Sequence, residues 1–103
     1  MTTAHRCARA IAEVAYKRRH HELFAALAYA ALRFAEDGTA ENAIELRTRA
    51  KRLHRHECRY PRLEPCWLNE RECDLWNGAM VYAAYGIGRA LRDAAREFAN
   101  PLQ

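Results

Sequence analysis

No glycine or proline interrupts the chain before Gly38. A stretch of that length filled largely with alanine and arginine has few alternatives to a long α-helix, because it holds no residue that ends one and few that favour a strand. The same economy holds throughout: the chain has 4 glycines and 3 prolines in 103 residues, and they fall at only a few places. These breakers divide the sequence into about three helical segments, which predicts an all-α fold. At this length, and with half of the residues hydrophobic, one domain spanning residues 1–103 can bury a modest core without a metal or disulfide.

The first segment runs from about Thr3 to Glu36. Tyr16, His20, Leu23, Leu27, Ala30 and Phe34 recur at intervals of three and four and so share one face. Ile11 and Val14 leave that face, which predicts a bend or a change of packing partner near residues 17–21. Gly38 is placed to take a left-handed C-cap. Thr39, followed by Glu41 and Asn42, opens a second helix whose core side is Ala43, Leu46, Ala50 and Leu53. Pro61 and Pro65 place residues 60–67 in a loop. Asn69 with Glu72 reads as a capping box for a third helix ending near Ala99, with Cys73, Trp76, Met80, Ala83, Ile87, Leu91, Ala94 and Phe98 as its core stripe. Glycines at 78, 86 and 88 predict a kink or a close crossing within it. The expected architecture is a small bundle of about three long helices, with room for a bend in the first.

Charge is distributed unevenly around the net value of +4. Residues 39–62 carry seven basic and three acidic groups, whereas residues 63–103 carry four and six. On the second helix Arg47, Lys51 and Arg55 lie opposite the core side, with Arg49, Arg52 and Arg59 around the shoulder, and Arg62 follows in the loop. A basic face of this kind fits an anionic partner, either phosphates or carboxylates. Trp67, beside Arg59 and Arg62 in sequence, supplies a rigid aromatic of the type that anchors interfaces, or else caps the bundle end. The candidate partner-binding set is therefore Arg47, Lys51, Arg52, Arg55, Arg59, Arg62 and Trp67.

His54, Cys58, Cys66 and Cys73 could in principle supply a closed zinc site, with His54 and Cys58 four apart on one helix face. No close pair of cysteines of the kind zinc modules use is present, and Cys73 already fits an apolar stripe, so no metal or other cofactor is expected. His20 reads as a hydrogen-bonded, half-buried histidine. The neighbours in "HHE", residues 20–22, point away from one another and cannot converge on one reacting atom.

The hexapeptide "RAKRLH", Arg49 to His54, is similar to the arginine–histidine motif of the helical HEPN ribonucleases. That resemblance implies a pair acting on an RNA phosphate, but Ala50 stands where those enzymes usually place a polar residue. As a kind of protein, a small Ala/Arg-rich domain without a catalytic constellation resembles the inhibitors encoded by phages and mobile elements, including anti-CRISPR proteins. The resemblance implies a non-enzymatic chain that occupies a working surface of a host nucleic-acid-handling complex. Its partner would be an acidic protein surface of that complex or nucleic acid directly; the alternative is a small DNA- or RNA-binding regulator. No apolar run is long enough to span a bilayer and no secretory leader is evident, so a cytoplasmic protein without a membrane partner is expected. The nearly all-round apolar segment 23–35 leaves room for a homodimer.

Overall fold

The computed structural model describes residues 2–60 and 67–100. Among them four helices and no strands are found: α1 (Thr3–Glu36), α2 (Ala40–Arg59), α3 (Glu70–Tyr85) and α4 (Gly88–Ala99). The all-α expectation holds, but the third expected helix is two. Gly86 closes α3 in the left-handed region at φ 71°, its N–H donating to the Tyr82 carbonyl, and Gly88 starts α4 two residues later. A left-handed C-cap is inexpensive only for glycine, so "GIG" reverses the chain rather than kinking a helix. Of the expected stripe, Leu91 and Ala94 are buried and Trp76, Met80 and Phe98 pack against the core, but Ile87 falls in the turn. Leu75, Gly78 and Ala79 are the buried residues of α3, whereas Ile87 is 51% exposed.

Three of the four N-caps are side-chain oxygens, whereas Ile87, before α4, makes no side-chain cap bond. Thr2 and Thr39 accept from the N–H groups of His5 and Asn42, and Asn69 and Glu72 form the full capping box. Gly38, in contrast, does not take a left-handed C-cap; Gly86 is the only glycine with positive φ among the described residues. Asn42 replaces that device by donating its side-chain amide to the carbonyl of Asp37 at 2.7 Å and, more weakly, to that of Arg33 at 3.4 Å. The same side chain thereby ties the end of α1 to the first turn of α2.

Each helix packs on two others in a ring: α1 on α2 and α4, α3 on α2 and α4. The core is alanine-rich, with Leu27, Ala31, Ala50, Leu53, Leu75, Ala79 and Ala95 fully shielded from solvent. Small residues let the helices approach closely, most clearly at Gly78. A Cβ there would lie 3.1 Å from Ala94 Cβ and 3.3 Å from the Ala90 carbonyl oxygen and Leu91 Cα. Gly78→Leu should separate α3 from α4 and cost roughly 2–3 kcal/mol by overpacking, read as a fall in the chemical-denaturation midpoint. An unchanged midpoint would show that the crossing is not tight.

The first helix is continuous, without the bend its pattern predicted. Its 34 residues at about 1.5 Å rise account for the 52 Å long axis of the molecule. Tyr16 is its first buried residue, and the segment before it extends past the end of the bundle. Ile11 and Val14 leave the core stripe because no described core residue lies beside them; they are 70% and 59% exposed.

Candidate functional site

The polar centre of the molecule lies where α1 passes the last turns of α2. The α2 core stripe of Leu46, Ala50 and Leu53 continues at the next three- and four-residue steps with His56 and Glu57, both buried. On α1 the facing positions are Tyr16 and His20. Tyr16 Oη donates to one oxygen of the Glu57 carboxylate at 2.6 Å, and His20 Nδ1 donates to the other at 2.6 Å. His56 Nε2 donates to the Tyr16 backbone carbonyl at 3.2 Å, and its ring stacks on Tyr16 at 5.0 Å between centroids. His20 Nε2 is buried with no hydrogen-bond partner among the described residues, an imperfection of about 1–3 kcal/mol that the rest of the network tolerates. His20 is thus wholly buried rather than half-buried.

Glu57 feels two opposed effects. Burial works against its charged form, but the hydrogen bonds from His20 and Tyr16, with the nearby imidazoles, outweigh burial and hold its pKa below the usual carboxylate range. Burial pushes His56 below the ordinary imidazole value, opposed in part by its bond to the Tyr16 carbonyl and by the Glu57 charge. Both shifts have the same sign for stability. A depressed folded pKa means the unfolded chain binds protons first, so stability is complete above the unfolded value and is lost as pH falls through the folded one. The expected melting temperature is constant above about pH 7, declines first below about 6.5 as His56 is opposed, and falls again below about 4.3 as Glu57 is. A His56→Gln variant should lose the first decline and keep the second. A profile flat down to pH 4 would refute this assignment.

Over this cluster lies a shallow cleft of about 190 Å³ lined by Arg19 of α1, Arg52, Arg55 and Arg59 of α2, and by the edges of Leu23 and His56. The four guanidinium-bearing residues are all exposed. Arg19 pairs with Glu22 of its own helix at 3.0 Å, whereas Arg52, Arg55 and Arg59 form no ion pair among the described residues. Three unneutralised guanidiniums on one side of one cleft form a concentrated positive field, and each retains its planar fork of donors for an outside oxyanion.

The remaining sequence candidates distribute differently. Arg47 lies in a separate groove of about 370 Å³ with Leu46, Tyr82, Gly86, Arg89 and Arg92. Lys51 accompanies it, its ammonium 5.8 Å from the centroid of the Tyr82 ring. The single basic face expected of α2 is therefore divided between a side that looks toward α1 and a side that looks toward the α3–α4 turn. Trp67 is 39% exposed. It packs edge-on against His20 at 5.1 Å and Tyr16 at 5.9 Å, with Lys17 Nζ 5.6 Å from its ring centroid. It also borders an open hollow with Lys17, Arg18, His21 and Glu22. Arg62 lies outside the described residues.

Of the candidate metal ligands, Cys58 Sγ approaches His54 Nε2 at 3.5 Å, while the Cys73 thiol is directed to the Leu68 carbonyl at 3.7 Å. Cys66 lies outside the described residues, and these contain no group of three or more histidine, cysteine or acidic side chains arranged to share an ion. Arg49, the arginine of the HEPN-like hexapeptide, pairs with Glu45 at 2.7 Å. His54 leaves α2 about 140° around the helix from it, at 100° per residue.

Sequence reasoning placed Tyr16 and His20 in the core but missed their partners His56 and Glu57. The signal was available: extending the α2 stripe one turn puts an acid opposite a histidine that needs one. Comparison with family models, characterised proteins and solved structures yields no match, so the functional reading rests on this chain's own residues.

Proposed function

We propose that this protein is a non-enzymatic binding module that docks the arginine cleft between α1 and α2 on an acidic protein surface of a nucleic-acid-handling complex, as a small inhibitor would. The observation that carries the reading is the convergence of Arg52, Arg55 and Arg59 with Arg19 over one concavity, without carboxylates to neutralise the three from α2. Arg9 and Arg49, by contrast, are paired with Glu13 and Glu45 of their own helices. The buried carboxylate beneath has both oxygens occupied from inside the bundle. It supports the spacing of the two helices rather than offering a base to a substrate.

A second reading has its own observation. Trp67 exposes part of its ring beside Lys17, Arg18 and His21, and an aromatic edge among cations suits a stacked base and its phosphates in a nucleic-acid single strand. The two readings separate in a binding titration with a labelled single-stranded oligonucleotide. A direct nucleic-acid binder should bind it at low salt with a log–log salt slope of about −0.7 per neutralised phosphate, and Trp67→Ala should weaken it. A protein-directed module should bind the isolated strand weakly and retain an acidic protein complex by affinity capture, an interaction lost in Arg52→Glu/Arg55→Glu/Arg59→Glu. Capture of the same complex by that variant would refute the proposed docking surface.

A further inference from the structure

On the side of α1 turned away from the core, Ile11, Val14, Arg18, His21, Ala25, Tyr29 and Leu32 follow one another at intervals of three and four residues, and every one of them is exposed. This is a second seam on the same helix. Ile11, Val14, Tyr29 and Leu32 are half of the large exposed hydrophobic residues found among the described positions, at 70%, 59%, 63% and 45% exposure. Four large apolar side chains along this line, two toward each end, form a stripe that a helical neighbour would cover, yet α2 and α4 pack on the other side.

We propose that the neighbour is a second copy of this chain, whose α1 packs antiparallel on this one about a two-fold axis between His21 and Glu22. The occupant is identified by self-complementarity, which a two-fold interface requires of a single surface. About that axis Ile11 meets Leu32 of the second copy, Val14 meets Tyr29, and Arg18 crosses over the small Ala25. Apolar residues thus face apolar residues at both ends of the seam. At its centre Arg18 lies within one turn of the second copy's Glu22, and the two-fold repeats that opposite-charge contact. A parallel pairing would instead set Arg18 against Arg18.

The overhang adds an independent argument. No side chain from Thr3 to Ala15 is buried, and an isolated helix of about 12–15 residues is marginal in water. In the antiparallel pair each overhang lies on the bundle-held half of the other α1, near Tyr29 and Leu32, so its apolar side gains the packing that one chain cannot supply. The arginine cleft faces α2 and is left open. The inference does not depend on what that cleft binds.

Sedimentation velocity of the full chain over a range of concentrations, under reducing conditions that keep the exposed Cys7 and Cys58 as thiols, tests it. The wild type should show a concentration-dependent dimer, and Ile11→Lys should weaken it at least about tenfold, two buried isoleucines being lost per dimer, with unchanged helical circular dichroism. Arg18→Glu and Glu22→Arg should each impair self-association. An equimolar mixture of the two should recover a dimer, because in that heterodimer both central contacts again pair opposite charges. A wild type monomeric at all concentrations, a dimer indifferent to Ile11→Lys, or a mixture that fails to recover would each overturn the proposal.

Discussion

Glu57→Ala is expected to cost about 3–5 kcal/mol, because it removes one partner of a buried ionic network and leaves the rest uncompensated. Tyr16 Oη and His20 Nδ1 both lose the Glu57 carboxylate, at a place shielded from solvent. For a domain of this size each kcal/mol lowers the melting temperature by about 4–8 °C, so the midpoint should fall by at least about 12 °C. Tyr16→Phe should be milder, about 1.5–3 kcal/mol, the worth of one hydrogen bond to a charged group. The combined Tyr16→Phe/His20→Phe/Glu57→Met variant removes the polar groups together and should recover more than half of what Glu57→Ala loses. A Glu57→Ala protein as stable as wild type would mean that the network does not hold α1 to α2.

The second large effect concerns binding. Reversing Arg52, Arg55 and Arg59 to glutamate turns three attractions into three repulsions. With exposed pairs worth about 0.2–1 kcal/mol each, the sum is about 3 kcal/mol, or roughly a hundredfold in affinity. The loss should shrink as salt is raised, since exposed charges are screened over about 10 Å at 0.1 M. These side chains have no ion-pair partner among the described residues, so the fold should survive; the only expected penalty is the less favourable charge near the C-terminus of α2. Reversal of Arg47 and Lys51 alone should have a smaller effect, because they face the α3–α4 turn. Equal loss from either set would return the account to one continuous basic face.

Much of the fold was legible in the sequence because helix breakers are few and each cap is local. Thr39, Asn69 and Glu72 act through hydrogen bonds within one turn, and such chemistry can be read without knowing the tertiary structure. The α1 stripe was equally plain, since six positions at constant spacing fix a face. What failed was the break itself: once Gly86 takes a left-handed conformation, Ile87 moves from an expected core position to the surface, while Leu91, Ala94 and Phe98 beyond it still face the core. Gly38 failed in the opposite sense, because Asn42, four residues on, already satisfies the carbonyls that a left-handed glycine would have helped close.

The site was legible in its parts and not in its assembly. His20 announced a buried hydrogen bond, but its acceptor lies 37 residues away, and only the packing of α2 on α1 brings Glu57 to it. Likewise, the basic residues of α2 form one row in the sequence and two groups in the structure, because Arg52, Arg55 and Arg59 lie on the flank that meets α1 and Arg47 and Lys51 on the flank that meets the α3–α4 turn. Arg19 joins the cleft from α1, outside the basic row of α2 from which the candidate set was drawn.

The proposed docking surface is this cleft rather than positive charge in general. Side-chain Nε–Hε resonances of the arginines, followed by nitrogen–proton correlation NMR during titration with a polyglutamate peptide and separately with a short single-stranded oligonucleotide, test it most directly. Arg19, Arg52, Arg55 and Arg59 should shift together with the His56 ring, while Arg6, Arg9, Arg33 and Arg96 remain in place. Uniform small shifts across all arginines, or shifts confined to Arg47, Arg89 and Arg92, would contradict it.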